Sequence, residues 1–565
     1  MPRRTAKKGA ASRCGLPRDR FGATACRCFR FFRRAALVAS SSKVPPGTLL
    51  FAAGTFFVIA ALLPLTGCRQ ERRDPGTVVF LIEASPASLD PRVGTDFASE
   101  HIDELLFDGL VRIDDQLRFQ PALAERWEQP NAKTWVFHLR PGVRFSDGRP
   151  LTARDVVWTF TSMGVGEAGV GNRSAVISPK AASYASVQSV EARDAETVVF
   201  HLRQPDNFLL TNLSSRAIGI VPAESGKEFW RHPVGTGAFR FVSQRIDQDV
   251  TIERNPFGWR TPPQIARVRF AVVPDAITES LELEKGSADV EVNSLPMDAL
   301  PALARRPNLA VDDAPGTEIQ YLAFNTQDAI LKNVRVRQAI ACAIDRNRII
   351  RTLYHGHARP AVSLLPPTQW AWTGDVARYD YDPARARRLL DEAGYRPDAN
   401  GVRLHLSMKT STDERARLLG AVFQQQLAQV GIALDLQSNE FATFYADVQR
   451  GAFQMYSLYW IGGNEQPDIF SYVFSSARIP PHGANRGRYR NPELDALLDD
   501  ADRSQDETRR RADYVRVQQI LARDLPAVNL WYIDTLVVHN RRLTHIVPSP
   551  SGSYTFLETA ELAGD

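Results

Sequence analysis

The stretch Pro121–Phe160, PALAERWEQPNAKTWVFHLRPGVRFSDGRPLTARDVVWTF, decides the fold of this chain. Within it, Trp135–Arg140 has the alternating pattern of a half-buried strand, and Pro141-Gly142 then turns the chain. Thr152–Met163 has the periodicity of a helix, and Asp155 stands where a capping box places its acidic member. The order strand, turn and helix predicts a sheet that is covered by a helix.

The same strand pattern occurs again at Thr197–Arg203 (TVVFHLR), so residues 111–231 are predicted to form a sheet-bearing unit of their own. On the amino-terminal side, Thr77–Ile82 (TVVFLI) is a β-branched strand. From about residue 313, amphipathic helices alternate with strands, which predicts an α/β domain. The predicted helices there are Val334–Leu353, Pro383–Glu392, Glu414–Val430, Asn491–Asp502 and Glu507–Arg523, and the predicted strands are 319–324, 402–408, 432–437 and 453–459.

Composition and charge place the chain among globular proteins and argue against nucleic-acid binding. The chain has 565 residues, of which 44% are hydrophobic and 24% charged, and this length predicts two to four domains. The formal net charge is +5, but 12 of the 69 Lys and Arg residues and one of the 64 acidic residues lie in residues 1–67. The rest of the chain therefore carries six more acidic than basic residues, which excludes an extended basic groove.

The first 67 residues are predicted to be an export signal. Basic residues are followed by the uncharged, mostly apolar run Leu49–Leu63, which is short for a membrane span and typical of a signal peptide. Leu65-Thr66-Gly67-Cys68 then resembles a bacterial lipobox, in which the cysteine thiol is acylated. Residues 68–76 are predicted to be a tether. Because only Cys68 and Cys342 remain outside the leader, no disulfide is expected.

No motif in the sequence predicts catalysis, a metal or a cofactor. Gly164–Gly169 matches G-x-G-x-x-G but follows a helix, whereas a dinucleotide site needs those glycines after a strand. His355-Gly356-His357 has no third metal ligand nearby in the sequence. The aromatic strand Phe453–Trp460 ends at glycines, which is typical of an edge that cradles a ligand.

Several stretches together resemble the family 5 extracellular solute-binding proteins, the peptide- and nickel-type receptors of ATP-binding-cassette importers. The matching stretches run in order along the chain: Pro121–Phe160, PVGTGAFRFV (233–242), IERNPFGW (252–259), YLAFNTQ (321–327), NVRVRQAIACAIDRNRII (333–350), YDPARARRLLDEAGY (381–395) and YRNPELDALLDDA (489–501). They lie between about residues 77 and 540, and the lipobox fits the same family.

The resemblance implies an α/β fold, a two-lobed periplasmic-binding-protein clamshell of type II, similar to cluster C, with an additional domain and mixed sheets flanked by helices. Lobe I would comprise residues 77–110, 232–312 and 525–565, the additional domain 111–231, and lobe III 313–524. The chain would cross between the lobes near Asp313–Thr317 and again near Leu525-Pro526. The protein would be a non-enzymatic receptor in the periplasm or cell envelope, lipid-anchored, that delivers a solute to the permease and ATPase subunits of the importer.

The resemblance also implies which residues line the cleft between the lobes. Lobe I would contribute the loop Thr95, Asp96 and Phe97 and the turn Gly235-Thr236-Gly237. Lobe III would contribute the end of the strand Tyr321–Asn325, the Trp460 edge and the loop 483–486, with the ligand contacts Phe324, Asn325, Trp460, Gly462, Gly463, Asn485 and Arg486. Arg486 is the candidate that binds a ligand carboxylate, and an interlobe ion pair is the alternative for it.

The identity of the ligand stays open at this stage. Peptide receptors of the family usually carry an Asp three residues after the cleft Trp, where it pairs with the peptide ammonium group, but this chain has Gly463. Glu465, Asp468 or Asp96 could replace that carboxylate. The chain is thus expected to bind an oligopeptide or similar small solute, with a non-peptide ligand (oligosaccharide, opine or metal chelate) as the alternative. An enzyme on the same scaffold and a signalling or chaperone-like role are the other hypotheses.

Overall fold

The computed structural model describes residues 76–169, 176–214, 216, 218–460 and 466–563, so the predicted signal peptide and Cys68 lie outside the described residues. The strands are β1 (Thr77–Ile82), β2 (Val111–Ile113), β3 (Phe119–Pro121), β4 (Ala124–Asn131), β5 (Thr134–Leu139), β6 (Val187–Ala192), β7 (Thr197–Leu202), β8 (Phe239–Arg245), β9 (Asp249–Arg254), β10 (Arg267–Val272), β11 (Val290–Val292), β12 (Leu309–Ala314), β13 (Ile319–Phe324), β14 (Ala358–Pro360), β15 (Leu404–Ser411), β16 (Ile432–Asn439), β17 (Met455–Trp460), β18 (Ala527–Ile533), β19 (Thr535–Asn540), β20 (Leu543–Thr544) and β21 (Glu561–Leu562).

The α-helices of the described ranges are α1 (Phe97–Leu106), α2 (Ala153–Ser162), α3 (Leu209–Asn212), α4 (Ala276–Lys285), α5 (Leu300–Leu303), α6 (Val334–Ala343), α7 (Arg346–Leu353), α8 (Pro383–Glu392), α9 (Glu414–Ala428), α10 (Phe441–Arg450), α11 (Ile469–Phe474), α12 (Pro492–Arg503) and α13 (Glu507–Asp524). Within these ranges, no helix combines the length and the apolar character that a membrane span requires.

Seven strands form a mixed sheet in the order β12-β19-β11-β1-β10-β9-β8. β1 pairs in parallel with β10 and with β11, and the other neighbours are antiparallel. Every residue of β1 is buried, as its uncharged sequence predicts for a central strand. The Phe80 ring lies 5.1 Å from Phe270 and 4.4 Å from Tyr554, so the two ends of the described chain share one core.

A second sheet is built from the stretch that decides the fold. Its four strands are antiparallel in the order β4-β5-β7-β6, and Trp135 of β5 pairs with Phe200 of β7. Phe160 of α2 packs edge-on against Phe200 at 5.1 Å. The Asp155 carboxylate accepts the N–H of Thr152 at 2.7 Å, which confirms the predicted capping box. The predicted order strand, turn and helix is therefore correct.

The third large sheet has six strands in the order β14-β18-β13-β17-β15-β16 and is flanked by helices. The prediction of a single helix over residues 334–353 is wrong in one respect, because the structure divides this stretch into α6 and α7. Ile344 adopts an extended conformation, and the Asp345 carboxylate accepts the N–H of Arg348 at 2.9 Å as the N-cap of the second helix. A single helix over residues 334–353 would place Asp345 inside it. The short Asp side chain hydrogen-bonds to the backbone, which favours the start of a second helix at this position.

The chain passes twice between the seven-stranded and the six-stranded sheet. β12 leads into β13 through residues 315–318, close to the predicted crossing at Asp313–Thr317. The second crossing was expected near Leu525-Pro526, but β18 pairs with β13 and the chain changes sheets at Asp534. Residues 527–533 are therefore part of the six-stranded sheet. The other domain boundaries stay predictions.

Two buried glutamates beside the seven-stranded sheet make stability depend on pH. Glu279 of α4 and Glu291 of β11 are almost inaccessible to solvent. Burial raises the pKa of Glu279 to about 7. Burial, together with the nearby charge of Glu279, raises the pKa of Glu291 to about 8. The folded protein therefore keeps protons that the unfolded chain releases between about pH 4.5 and pH 8. Unfolding free energy should fall as the pH rises through this window.

Glu279→Gln should remove part of this pH dependence, because Glu291 keeps the larger shift of the two. We expect the variant to be more stable than the parent at pH 8, on the order of 2 kcal/mol, and nearly equal at pH 5, because the amide needs no proton to be neutral. Urea unfolding between pH 5 and pH 8 measures this difference. Glu414→Gln is the control, since Glu414 also lies in the first turn of a helix but is exposed. Equal pH profiles for all three proteins would contradict the prediction.

Candidate functional site

Aromatic side chains lie side by side at the end of β17, and the register between β13 and β17 brings them together. β13 and β17 pair in antiparallel fashion with Ile319 opposite Trp460 and Tyr321 opposite Leu458. Because side chains alternate along a strand, Tyr321 and Trp460 lie on the same face of the sheet. Their rings stack at 5.9 Å with an interplanar angle of 19°. Trp460 is half-buried, and exposed Tyr472 of α11 packs edge-on against it at 6.4 Å.

The loop after α11 brings Arg486 to these aromatic side chains, and Asn485 holds the loop in shape. The Asn485 amide donates to the carbonyl oxygens of Ser475 at 3.0 Å and Tyr489 at 2.8 Å and accepts the N–H of Tyr489 at 3.0 Å. Asn485 is 1% exposed, so its amide is used within the protein. The structure therefore makes Asn485 a positioning residue for Arg486, although the sequence predicted it as a ligand contact.

Arg486 is surrounded by aromatic side chains. It donates to the hydroxyl of Tyr321 at 3.2 Å and to that of Tyr445 at 2.9 Å. Its guanidinium carbon lies 5.0 Å from the centre of the Trp460 ring and 5.3 Å from that of Tyr445. We call Tyr321, Tyr445, Tyr456 and Trp460 together the aromatic cage of Arg486. The cage borders a small pocket of about 30 Å³, room for a group the size of a carboxylate.

No acid of the described residues balances the charge of Arg486. Within the described part of the chain, Arg486 forms no ion pair, and its Nε has no hydrogen-bond partner although the residue is only 8% exposed. Burial by itself would lower the pKa of Arg486, but the hydroxyls of Tyr321, Tyr456 and Tyr445 raise it well above its ordinary value, so the side chain stays cationic. A buried cation without a counter-ion is costly unless an anion joins it. The alternative of an interlobe ion pair for Arg486 has no support among these residues.

The predicted contacts from the other side of the cleft are arranged differently. Thr95 is exposed, and Phe97 is 41% exposed with its ring edge-on to His101 at 4.1 Å. The Asp96 carboxylate caps α1, accepting the N–H of Ser99 at 3.0 Å, and also accepts the N–H of Ala87 at 3.2 Å. Asp96 is therefore committed to the helix start.

Two predicted stretches belong to the protein interior. Phe324 is fully buried in the core of the six-stranded sheet, because side chains alternate and its neighbour Ala323 takes the other face. The Asn325 amide donates to the carbonyl oxygens of Gly451 and Phe453 at 3.3 and 3.1 Å. The turn 235–237 packs against the end of α1 so closely that a Cβ at Gly235 would collide with the carbonyl of Leu106. These residues shape the fold and do not face the Arg486 pocket.

The remaining predicted residues cannot be placed at the pocket. Gly462, Gly463 and Glu465 lie outside the described residues. Asp468 is described, and burial together with the charge of Asp502 raises its pKa to about 7. Asp468 thus has an acid nearby and forms no ion pair with a base among the described residues.

Sequence reasoning missed Tyr445 and Tyr456 of the cage. Phe441 and Tyr445 are spaced four residues apart on α10, and their rings stack at 5.9 Å with an interplanar angle of 14°. This spacing was visible in the sequence as an aromatic helix face. Nothing local linked it to Arg486, which lies 41 residues further along the chain.

Each histidine of the pair His355 and His357 lies next to a carboxylate. His355 lies 3.1 Å from a carboxylate oxygen of Asp298, and His357 lies 3.0 Å from one of Asp313. In the described ranges, no group of three His, Cys, Asp or Glu side chains is placed to hold a metal ion. The two histidines lie in the loop before β14, and His357 joins this loop to Asp313 of β12.

Comparison with known proteins places this geometry in context. The family model described as "Bacterial extracellular solute-binding proteins, family 5 Middle" matches residues 118–480. The chain is 26% identical to the dipeptide-binding protein of Escherichia coli over 507 residues, covering 85% of this chain and 94% of that protein. It is 27% identical to heme-binding protein A of Haemophilus influenzae over 542 residues, covering 89% and 98%.

A solved structure supports the same fold. The periplasmic binding protein DppA from Helicobacter pylori, solved in complex with the peptide STSA, has a TM-score of 0.69 and 26% sequence identity with this chain. The match covers 86% of this chain and 98% of that structure. The mixed α/β architecture is therefore shared with proteins that bind small molecules.

Replacing Arg486 should not weaken the fold. In Arg486→Met we expect an unfolding free energy equal to that of the parent or up to about 2 kcal/mol higher, because a buried unpaired charge is removed. Arg337→Met is the control: Arg337 is equally buried but donates to the carbonyl oxygens of Leu331, Lys332, Asp524 and Leu525. Losing those bonds should cost about 3 kcal/mol or more. Urea unfolding compares them, and a similar loss in both variants would make Arg486 a structural residue.

Proposed function

Because the chain belongs to the family 5 bacterial extracellular solute-binding proteins, we propose that it captures an oligopeptide or similar small solute with a free carboxylate and delivers it to the membrane permease of an ATP-binding-cassette importer. The family is non-enzymatic and of the peptide and nickel type. The solute would be held between two lobes, with Trp460 and Arg486 on one side and Phe97 and Thr95 on the other. Gly462 and Gly463 would provide backbone contacts beside Trp460.

The observation that carries this proposal is that the guanidinium of Arg486 is buried and that no described acid pairs with it. A guanidinium has five N–H donors and binds a carboxylate with two parallel hydrogen bonds. The bonds to Tyr321 and Tyr445 use two of the five, and Nε has no partner among the described residues. Because Arg486 is only 8% exposed, solvent screens its charge weakly, which strengthens its interaction with a carboxylate. A carboxylate is the group that dipeptides, tripeptides and many other imported solutes have in common.

A second candidate is a non-peptide solute such as an oligosaccharide, an opine or a metal chelate. Gly463 provides no carboxylate for a peptide ammonium group, Asp96 is occupied as a helix cap, and Asp468 lies beside Asp502. One relative of this chain is named a heme-binding protein, so a family resemblance alone does not select peptides. Among the described residues, neither Asp96 nor Asp468 is free to pair with a peptide ammonium group, and this favours the second candidate.

Carboxylate recognition predicts that C-terminal amidation abolishes binding. We expect the purified protein to bind short peptides with a free C-terminus at least about 30-fold more tightly than the corresponding amides, because the amide leaves the buried cation without an anion. Arg486→Met should remove this difference, while Arg488→Met in the same loop should keep it, since Arg488 only reaches the carbonyl oxygens of Arg486 and Gln449. Calorimetric titration of both peptide forms measures the ratio.

Native mass spectrometry of the purified protein decides between the two candidates. A ladder of co-purified peptide masses would support peptide capture. A single non-peptide mass, or a protein that no peptide mixture stabilises against heat, would rule peptides out and favour the second candidate.

We also propose that Cys68 is acylated and anchors the protein to the membrane; the basic, apolar and Leu-Thr-Gly-Cys order of the leader supports this. The full chain should then sediment with membranes and need detergent for release, and Cys68→Ala should be recovered in the soluble periplasmic fraction. Cys342→Ala is the matched control, because Cys342 is a buried core thiol. Membrane association of the Cys68 variant would disprove the anchor without affecting solute capture.

A further inference from the structure

A second cavity, larger than the Arg486 pocket, lies beside the carboxyl end of α1. It has a volume of about 310 Å³ and is lined by residues of four chain segments, 104–117, Arg216, Arg260 and 549–558. None of these residues belongs to the six-stranded sheet, and none lines the Arg486 pocket. We call it the Glu558 cavity. Nothing in the proposed function uses it.

One of the acids that line the Glu558 cavity is already fully engaged. Asp108 is 1% exposed and lies 2.9 Å from the guanidinium of Arg260. Its other oxygen accepts hydrogen bonds from Thr236 at 3.0 Å and from the Trp259 indole at 2.9 Å. Asp108 therefore balances the charge of Arg260 and has no acceptor left for a ligand.

Glu104 and Glu558 each keep one oxygen for the cavity. Glu104 is 8% exposed; its Oε2 accepts from the Ser553 hydroxyl at 2.7 Å and lies 3.3 Å from His101 Nδ1. Oε1 of Glu558 accepts from Arg260 at 3.2 Å. Within the described residues, no hydrogen bond reaches Glu104 Oε1 or Glu558 Oε2. Two largely buried carboxylates thus present one unused acceptor each.

The charges around the Glu558 cavity favour a cation. Its lining has five acidic side chains and three arginines. One of these arginines, Arg260, forms an ion pair with Asp108. Arg216 donates to the carbonyl of Ser551, and Arg112 is exposed. Burial raises the pKa of Glu558 to about 7, against the influence of Arg260, which is the behaviour of a carboxylate that lacks a full counter-charge. Burial alone would raise the pKa of Glu104, but His101, the charge of Arg216 and the bond from Ser553 together lower it, so Glu104 stays ionised.

We propose that the Glu558 cavity binds an organic cation, an alkylammonium or guanidinium group, between Oε1 of Glu104 and Oε2 of Glu558. An ammonium has three N–H donors, and two carboxylate oxygens with a nearby hydroxyl, such as that of Thr555, match them. Charge-assisted hydrogen bonds of this kind are stronger than neutral ones. A bare metal ion is a poorer match, because no cluster of three ligating side chains occurs in the described ranges.

The test uses a probe that carries the cation and no carboxylate. Butane-1,4-diamine and the isosteric butane-1,4-diol are titrated calorimetrically into the full-length protein in low-salt buffer at pH 7.5. We expect saturable binding of the diamine and no measurable binding of the diol. Glu558→Gln and Glu104→Gln should each weaken diamine binding at least tenfold, and raised salt should weaken it too. A diol that binds as well as the diamine, or no diamine binding, overturns the proposal.

Matched variants separate this site from other sources of binding. Glu561→Gln, at an exposed position near the same C-terminal segment, should bind the diamine like the parent. Arg486→Met should also bind it unchanged, so failure of carboxylate recognition leaves this result interpretable. Thermal unfolding establishes that each variant is folded. If Glu104→Gln does not fold because His101 and Ser553 lose their partner, Glu558→Gln alone decides, and unchanged binding in that variant contradicts the proposal.

Discussion

One antiparallel ribbon joins the two large sheets, and the site depends on it. β12 pairs with β19 up to Ala314 opposite Thr535, and the same two chain segments continue as β13 paired with β18 from Ile319 opposite Tyr532. At the passage, a Cβ on Gly316 would collide with the carbonyl of Ile533, so only glycine allows the strands to lie this close. The ribbon fixes β13, β13 fixes the register of β17, and that register sets Trp460 beside Tyr321.

Buried arginines in this protein differ in what balances them, and the difference separates structure from function. Arg92 is fully buried and forms two hydrogen bonds with the Asp90 carboxylate, with further bonds to Ser162 and to backbone carbonyls. Arg337 is held by four carbonyl groups. Among the described residues, Arg486 donates to tyrosine hydroxyls and lies over the faces of aromatic rings. Because a buried charge needs compensation, the lack of an acidic partner among the described residues supports the proposal that a ligand carboxylate joins Arg486.

Sequence reasoning placed most elements correctly where the pattern was local. The alternation in Trp135–Arg140, the capping box at Thr152 and the amphipathic helices of residues 383–523 all correspond to observed elements. It failed where a decision depended on a distant strand. The resemblance implied a second crossing near Leu525-Pro526, but β18 pairs with β13 and the chain changes sheets at Asp534. The resemblance implied that Phe324 and Asn485 contact the ligand, but tertiary packing buries both side chains within the protein.

By itself, the sequence determined the family and most of the order of secondary structure, because periodicity, caps and motifs are properties of neighbouring residues. The export signal and the roles of Trp460 and Arg486 stay predictions. Only the tertiary structure decided that Tyr445 joins Arg486, that no described acid does so, and that Glu104 and Glu558 meet across a cavity. The residues that the fold brings together in this way are up to 454 positions apart in the chain. Whether a charge is paired depends on what the fold brings within hydrogen-bond distance, and no local pattern in the chain encodes that distance.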